Sequence, residues 1–165
     1  MKRLSLVTII MLCLSVMNSF AQNMDMPYQA QYSSNFQIGN QANAKLVLQL
    51  WRDFDNNSFD KDANFFADTV VMFFPDGSMS KGKDSVVAGA KQYRGSMTSC
   101  QSTVEAYIPL KSVDRNENWV AIWGTATETF SDGKAMKTDL HEIWKINPDG
   151  KVAFMKQFSS KVSDQ

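Results

Sequence analysis

The stretch from Phe65 to Gly82, FFADTVVMFFPDGSMSKG, restricts the possible folds more than any other part of this chain. Two phenylalanines close a short helix. Val70 to Phe74 is then an apolar run of strand length, and Pro75-Asp76-Gly77 turns it. Proline presets φ for a turn, aspartate bonds its own backbone, and glycine accepts the positive φ, so the run ends there. Gly82 then opens a helical segment, Lys83 to Met97, on which Val86, Ala90, Tyr93 and Met97 share one face. Long strands follow at Thr103–Val113, Trp119–Phe130, Lys137–Ile146 and Lys151–Ser160, with Asp132-Gly133 and Asp149-Gly150 as hairpin turns.

Two helices precede this block. Asn40 to Phe54 places Val47, Trp51 and Phe54 on one stripe with Leu46 and Leu50 beside it, and Asn40 is placed to cap its start. Asp55-Asn56-Asn57 stops it. A shorter helix, Asp60 to Ala67, is expected to be capped by Asp60 and to bury Phe65 and Phe66.

The N-terminus has the pattern of a secretory signal. Lys2 and Arg3 precede an apolar run, Leu4 to Met17, and Ser19 and Ala21 supply the small residues before a cut expected after Ala21. The run is shorter than the ~20 residues a spanning helix needs, so no membrane insertion is expected after cleavage. Leu12 before Cys13 is unsuited to lipid attachment. The exported product, periplasmic or secreted, is residues 22–165: a polar linker, Gln22 to Gly39, and one domain, residues 40–161. It carries 17 acidic and 15 basic residues. That balance argues against nucleic acid or an anionic membrane surface as partner. Cys100 is left alone, so no internal disulfide forms.

Strand register decides which residues share a face. With Asp132-Gly133 as a two-residue turn, His141 lies opposite Gly124, Asp139 opposite Ala126 and Ile143 opposite Ile122. Lys156 then falls opposite His141, unless a bulge intervenes. One face carries Val120, Ile122, Gly124, Ala126, Asp139, His141, Ile143, Val152, Phe154, Lys156 and Phe158, an apolar surface with one polar cluster. The other carries Trp119, Trp123, Thr125, Thr127, Leu140, Glu142, Trp144, Met155 and Gln157. The first is expected inside, lining a pocket. The second is expected outside, its tryptophans covered by a second subunit.

Three helices followed by a curved antiparallel sheet resemble the NTF2-like superfamily, and within it the SnoaL-like and DUF4440-type group. The matching residues are Ala67-Asp68-Thr69-Val70, Pro75-Asp76-Gly77, Gly82, and Asp149-Gly150-Lys151-Val152, over roughly residues 40–160. The resemblance implies an α+β, cone-shaped barrel: three N-terminal helices packed on the sheet, and an apolar cavity between them. It also implies homodimers through the convex face, here the side with Trp123 and Trp144. Members include hydratases, isomerases, cyclases and epoxide hydrolases, so the fold alone leaves the activity open.

The candidate chemistry is sparse. His141 is the only histidine; with Asp139 two residues away it forms the one possible general-base pair, and Lys156 is a candidate for a ligand carbonyl or carboxylate. The alternative is a half-exposed polar strand end with its charges solvated or paired. Trp51, Phe54 and Tyr93 are candidates for the cavity mouth, with Phe154, Phe158 and Gly124 as further lining, although aromatic stripes at helical spacing usually fill cores. Asp76 is turn chemistry. A lone histidine makes no zinc site. The calcium-loop spacing Asp53, Asp55, Asn57 fails at Ser58 and Asn64, where glycine and glutamate are required, so no metal or cofactor is expected. These residues favour a binding protein for a small apolar or aromatic molecule. The alternative is a cofactor-independent isomerase or lyase using Asp139 and His141 for proton transfer.

Overall fold

A computed structural model describes residues 26–162. The signal segment, its cleavage point, Cys13 and residues 22–25 lie outside the described residues. The chain divides into two units, Met1–Gln31 and Tyr32–Gln165. In the first, the described residues 26–31 form no helix or strand.

The second unit contains β1 (Phe36–Ile38), α1 (Gln41–Asp55), a 3-10 helix (Phe59–Phe65), β2 (Phe66–Phe73), β3 (Met79–Lys81) and α2 (Lys83–Gly95). It ends in β4 (Met97–Ser112), β5 (Glu117–Phe130), β6 (Ala135–Ile146) and β7 (Val152–Lys161). The strands form one sheet in the order β1-β4-β5-β6-β7-β2-β3. All neighbours are antiparallel except β2 and β7, which run parallel. The fold is α+β, as expected, with three differences. The sheet is open and mixed, not a closed antiparallel barrel. Its strands interleave with the helices, so the three helices are not all N-terminal to it. The second helix is a 3-10 turn begun at Ser58 with no side-chain cap.

The residues explain the elements. The Asn40 side chain accepts from Ala42 N at 2.9 Å and starts α1. The helix buries Ala44, Val47, Leu50 and Trp51 against Val120, Ile122, Trp144, Ile146 and Met155 of the sheet. Each such aliphatic side chain contributes about 1.5–3 kcal/mol relative to an exposed one. Arg94, near the end of α2, is buried and donates to three carbonyls: Phe54 at 3.0 Å, Asp55 at 2.9 Å and Met97 at 3.1 Å. Those carbonyls include the last ones of α1, which lack partners within the helix. The Asp76 turn is as expected, its carboxylate accepting from Ser78 N at 2.9 Å.

The linker expected over residues 22–39 is docked from Tyr32 onward. β1 pairs with β4, Ser33 donates to Asp114 at 2.6 Å, and Tyr32 donates to Glu117 at 2.5 Å beneath the Arg115 guanidinium. The sequence period of this arm is too short to betray a three-residue strand.

Register is the main correction. Thr129 pairs with Ala135, and the hairpin closes with Phe130 N bonding Lys134 O at 2.8 Å. Ser131, Asp132 and Gly133 therefore form a three-residue loop, with Gly133 at φ 85°. The extra residue moves His141 opposite Trp123 and Leu140 opposite Gly124. A one-residue slip exchanges the faces of the following strand. Between β6 and β7, an irregularity near Ala153 puts Phe158 opposite His141 and Lys156 opposite Ile143. The inner face then has Val120, Ile122, Gly124 and Ala126, as expected, but with Leu140, Glu142, Trp144, Met155 and Gln157. Asp139, His141, Ile143, Phe154, Lys156 and Phe158 are on the outer face.

Candidate functional site

The inner face presents two carboxylates, of which the expected register had turned Glu142 outward. Glu142 is 4% exposed and accepts from three side chains: Trp51 Nε1 at 2.6 Å, Gln157 Nε2 at 2.7 Å and Trp144 Nε1 at 2.9 Å. Burial pushes its carboxyl above the usual range, and the three donors draw it back. These donors tie α1 to β6 and β7 through it, and its burial closes it to solvent.

Gly124 lies directly beneath Trp51. A Cβ there would stand 2.3 Å from Thr103 O and 3.1 Å from Trp51 Cζ3. Trp51 and Gly124, read as pocket lining, are core contacts. Trp51, Trp144, Leu50 and Met155 fill the space between α1 and the sheet where a deep cavity was expected.

Glu128 lies toward the end of the same face. It is 8% exposed and accepts from Tyr93 Oη at 3.1 Å. Burial raises its carboxyl, while Tyr93 and Arg94 oppose the rise. The Tyr93 phenol is itself raised by burial and by Glu128. Its half-exposed ring stacks on Phe54 at 6.3 Å. Thr138, on the neighbouring strand, has a buried hydroxyl without a partner. Phe54 and Tyr93 lie beside Glu128 at this end of the face and line neither of the two hollows described below. Cys100, opposite Glu128, is pushed up to about 12 by burial and by Asp55, which accepts its thiol at 3.4 Å, so it is an inert thiol.

An apolar hollow of about 390 Å³ opens between the first half of α1 and β4. Ala42, Ala44, Leu48 and Tyr107 line it, with Gln41 and Lys45 at its lip. A second, polar hollow of about 330 Å³ lies at the start of α2, where Lys83 bonds Asp68 at 2.7 Å. Tyr107 faces inward because a bulge at Glu105 resets the β4 alternation. Periodicity could not have located that bulge. Among the described residues, no three His, Cys, Asp or Glu side chains converge as metal ligands.

The pair expected to do chemistry is on the opposite side. His141 stacks on Trp123 at 4.9 Å and 16°, with Phe158 at 5.9 Å on the same face. Asp139 is exposed, and Lys156 sits 5.1 Å over the Phe158 ring. Phe154 contacts Phe73 and Trp119. The structure brings these residues together as an outer aromatic surface and places none of them in an enclosed cavity.

No family model matches the sequence, and no curated protein does. Solved structures do match. An NTF2-like protein of unknown function from Exiguobacterium sp. 255-15 aligns with a TM-score of 0.59 at 16% identity, over 70% of this chain and 98% of its own. The fold is NTF2-like. A putative SnoaL-like polyketide cyclase from Jannaschia sp. CCS1 aligns with a TM-score of 0.62 at 12% identity, over 82% and 92% of the two chains. An LEH-like epoxide hydrolase from M. tuberculosis gives 0.61 at 11% identity, over 73% and 84%. The NTF2-like fold thus carries different activities among its neighbours, and this chain's own site must decide its role.

Proposed function

We propose that this NTF2-like protein binds a small apolar or aromatic molecule without transforming it, and that the binding site is the hollow between α1 and β4. The observation that carries the reading is the hollow itself: about 390 Å³, lined by Ala42, Ala44, Leu48 and the Tyr107 ring. That volume suits a small ligand, and an apolar lining with few polar groups is how such sites are built. Lys45 at the lip favours a ligand with an acidic or carbonyl group at one end. The two inner carboxylates support binding over catalysis, because Glu142 is buried and engaged by three donors and Glu128 is closed over by Tyr93.

The test is a screen of small aromatic carboxylates by calorimetry. Tyr107→Ala and Leu48→Asp are expected to weaken a hit about tenfold or more, the equivalent of one lost apolar contact surface. A hit whose affinity neither substitution changes would place the site elsewhere.

Two further parts of the reading concern assembly and location. The protein acts as a homodimer joined through the outer sheet face. Trp123 is 36% exposed there and Phe158 45%, with Lys156 and Asp139 on the same face able to pair across a two-fold axis. It also acts after export, since residues 1–21 have the secretory pattern. Recovery of mature protein beginning at Gln22 supports export. Recovery of the intact N-terminus from the cytoplasm would refute it.

A further inference from the structure

β4 pairs with β5 along one side, and its other side is only partly covered. At one end of that free side, β1 pairs with Leu110, Lys111 and Ser112, and Gly39 N donates to Pro109 O at 2.9 Å. At the other end, the carboxylate of Asp55, the last residue of α1, accepts from Ser102 N at 2.9 Å and from Ser102 Oγ at 2.8 Å. α1 runs between these two ties, alongside β4. Among the described residues, no backbone partner meets residues 103–108 on this side. The apolar hollow of about 390 Å³ between α1 and Tyr107 lies in that interval.

An antiparallel strand turns the backbone groups of successive residues to opposite sides. Pro109 O is on the free side, so Tyr107, two residues back, turns its N–H and C=O to that side as well. Its ring lines the hollow. The wall therefore offers one donor and one acceptor beside its apolar carbon, the pair that an extended peptide engages when it adds to a sheet edge. The bulge at Glu105 breaks the alternation next to Tyr107. With the ties at Pro109 and Ser102, it limits an added strand to about two or three residues. At the lip, Lys45 is exposed and makes no ion pair among the described residues. Glu105, the acidic residue of β4, is not among the residues lining the hollow.

We propose that the ligand of this hollow is a short free peptide with an apolar last residue and a free C-terminal carboxylate, added to the edge of β4 at Tyr107; this rests on the hollow being the binding site. The last side chain packs against Ala42, Ala44 and Leu48. The peptide N–H donates to Tyr107 O, and a peptide carbonyl accepts from Tyr107 N. The carboxylate meets the Lys45 ammonium and the Gln41 amide at the lip. A simple aromatic acid fills the same space but takes the Tyr107 backbone out of water without a partner, which opposes binding. The edge thus selects peptides over such acids, and the ties at both ends select short ones.

The test titrates the purified protein by calorimetry with acetyl-Ala-Phe and acetyl-Ala-Leu as free acids. It repeats this with their C-terminal amides, with the acids N-methylated at the last residue, and with 3-phenylpropionate, which has a ring and a carboxylate but no peptide bond. The free acids are expected to bind, and amidation, N-methylation or loss of the peptide bond should each weaken binding about tenfold or more. Lys45→Met should weaken the acids and leave the amides unchanged. In wild type, the Tyr107 amide should gain about tenfold protection from hydrogen exchange with the acids and none with 3-phenylpropionate, a readout that needs no variant. Equal affinity for 3-phenylpropionate and the acids, with no added protection at Tyr107, would overturn the peptide inference and leave the hollow as a site for small apolar molecules. Peptide binding that Leu48→Asp does not weaken would remove both readings together. Failure of both acids to bind at millimolar concentration would overturn the proposal. So would tighter binding of an octapeptide with the same last two residues, which would make the ligand the end of a longer chain.

Discussion

Glu142 shows how one side chain can organise a core. Its carboxylate lies among apolar neighbours, a costly position unless every lone pair it turns inward meets a donor. Trp51, Trp144 and Gln157 supply those donors from three different elements. Glu142→Gln keeps the shape but turns an amide N–H₂ toward groups that are themselves donors. It should cost about 1–3 kcal/mol, since one or two buried N–H groups lose their acceptor. Denaturant unfolding measures this directly, and a variant as stable as wild type would show that solvent reaches the site. No spacing rule could have nominated Glu142, because Trp51 and Gln157 reach it from other elements and meet it only in the fold.

At the scale of elements, the hairpin between β5 and β6 is decisive. Aspartate before glycine is compatible both with a two-residue turn and with a three-residue loop ending in glycine at positive φ. The chain adopts the second, through bonds from Phe130 N to Lys134 O and from Lys134 N to Asp132 Oδ1. Deleting Ser131 would impose the shorter turn. It would drive His141, Asp139 and Lys145 toward the core and turn Glu142 and Trp144 outward. We expect that deletion to abolish cooperative unfolding, read by circular dichroism against temperature. A variant that melts like wild type would mean that the strands absorb the shift through a bulge. Element identities themselves were largely legible: Asn40 marks the start of α1, and the Pro75-Asp76-Gly77 turn ends the apolar run. The 3-10 character of Phe59–Phe65 and the short strands β1 and β3 were not, because three to seven residues carry too little periodicity to distinguish a turn from a strand.

For the whole molecule, the two tryptophans once assigned to a common surface separate cleanly. Trp123 is 36% exposed on the outer face, whereas Trp144 is 4% exposed beside Glu142. Trp144→Ala should therefore cost about 3–5 kcal/mol of monomer stability, in the range of buried aromatic truncations. Trp123→Ala should leave the fold intact and, if the outer face joins two copies, shift the population to monomer. Sedimentation with thermal unfolding separates the two effects. A dimer that survives Trp123→Ala would direct attention to another surface.

The local code determined that this chain builds an α+β domain of NTF2-like order, with an amphipathic first helix, a turn at Asp76 and long hairpin strands, because caps, turn residues and apolar periods act over a few residues. Only the tertiary structure decided which side chains face inward. That choice hangs on one loop residue near Gly133 and on the irregularities at Glu105 and near Ala153, each of which reverses the alternation of the strand beyond it. It moved His141 and Asp139 to the outer surface, placed Glu142 and Trp144 inside, and left the hollow beside Tyr107 as the place for a ligand.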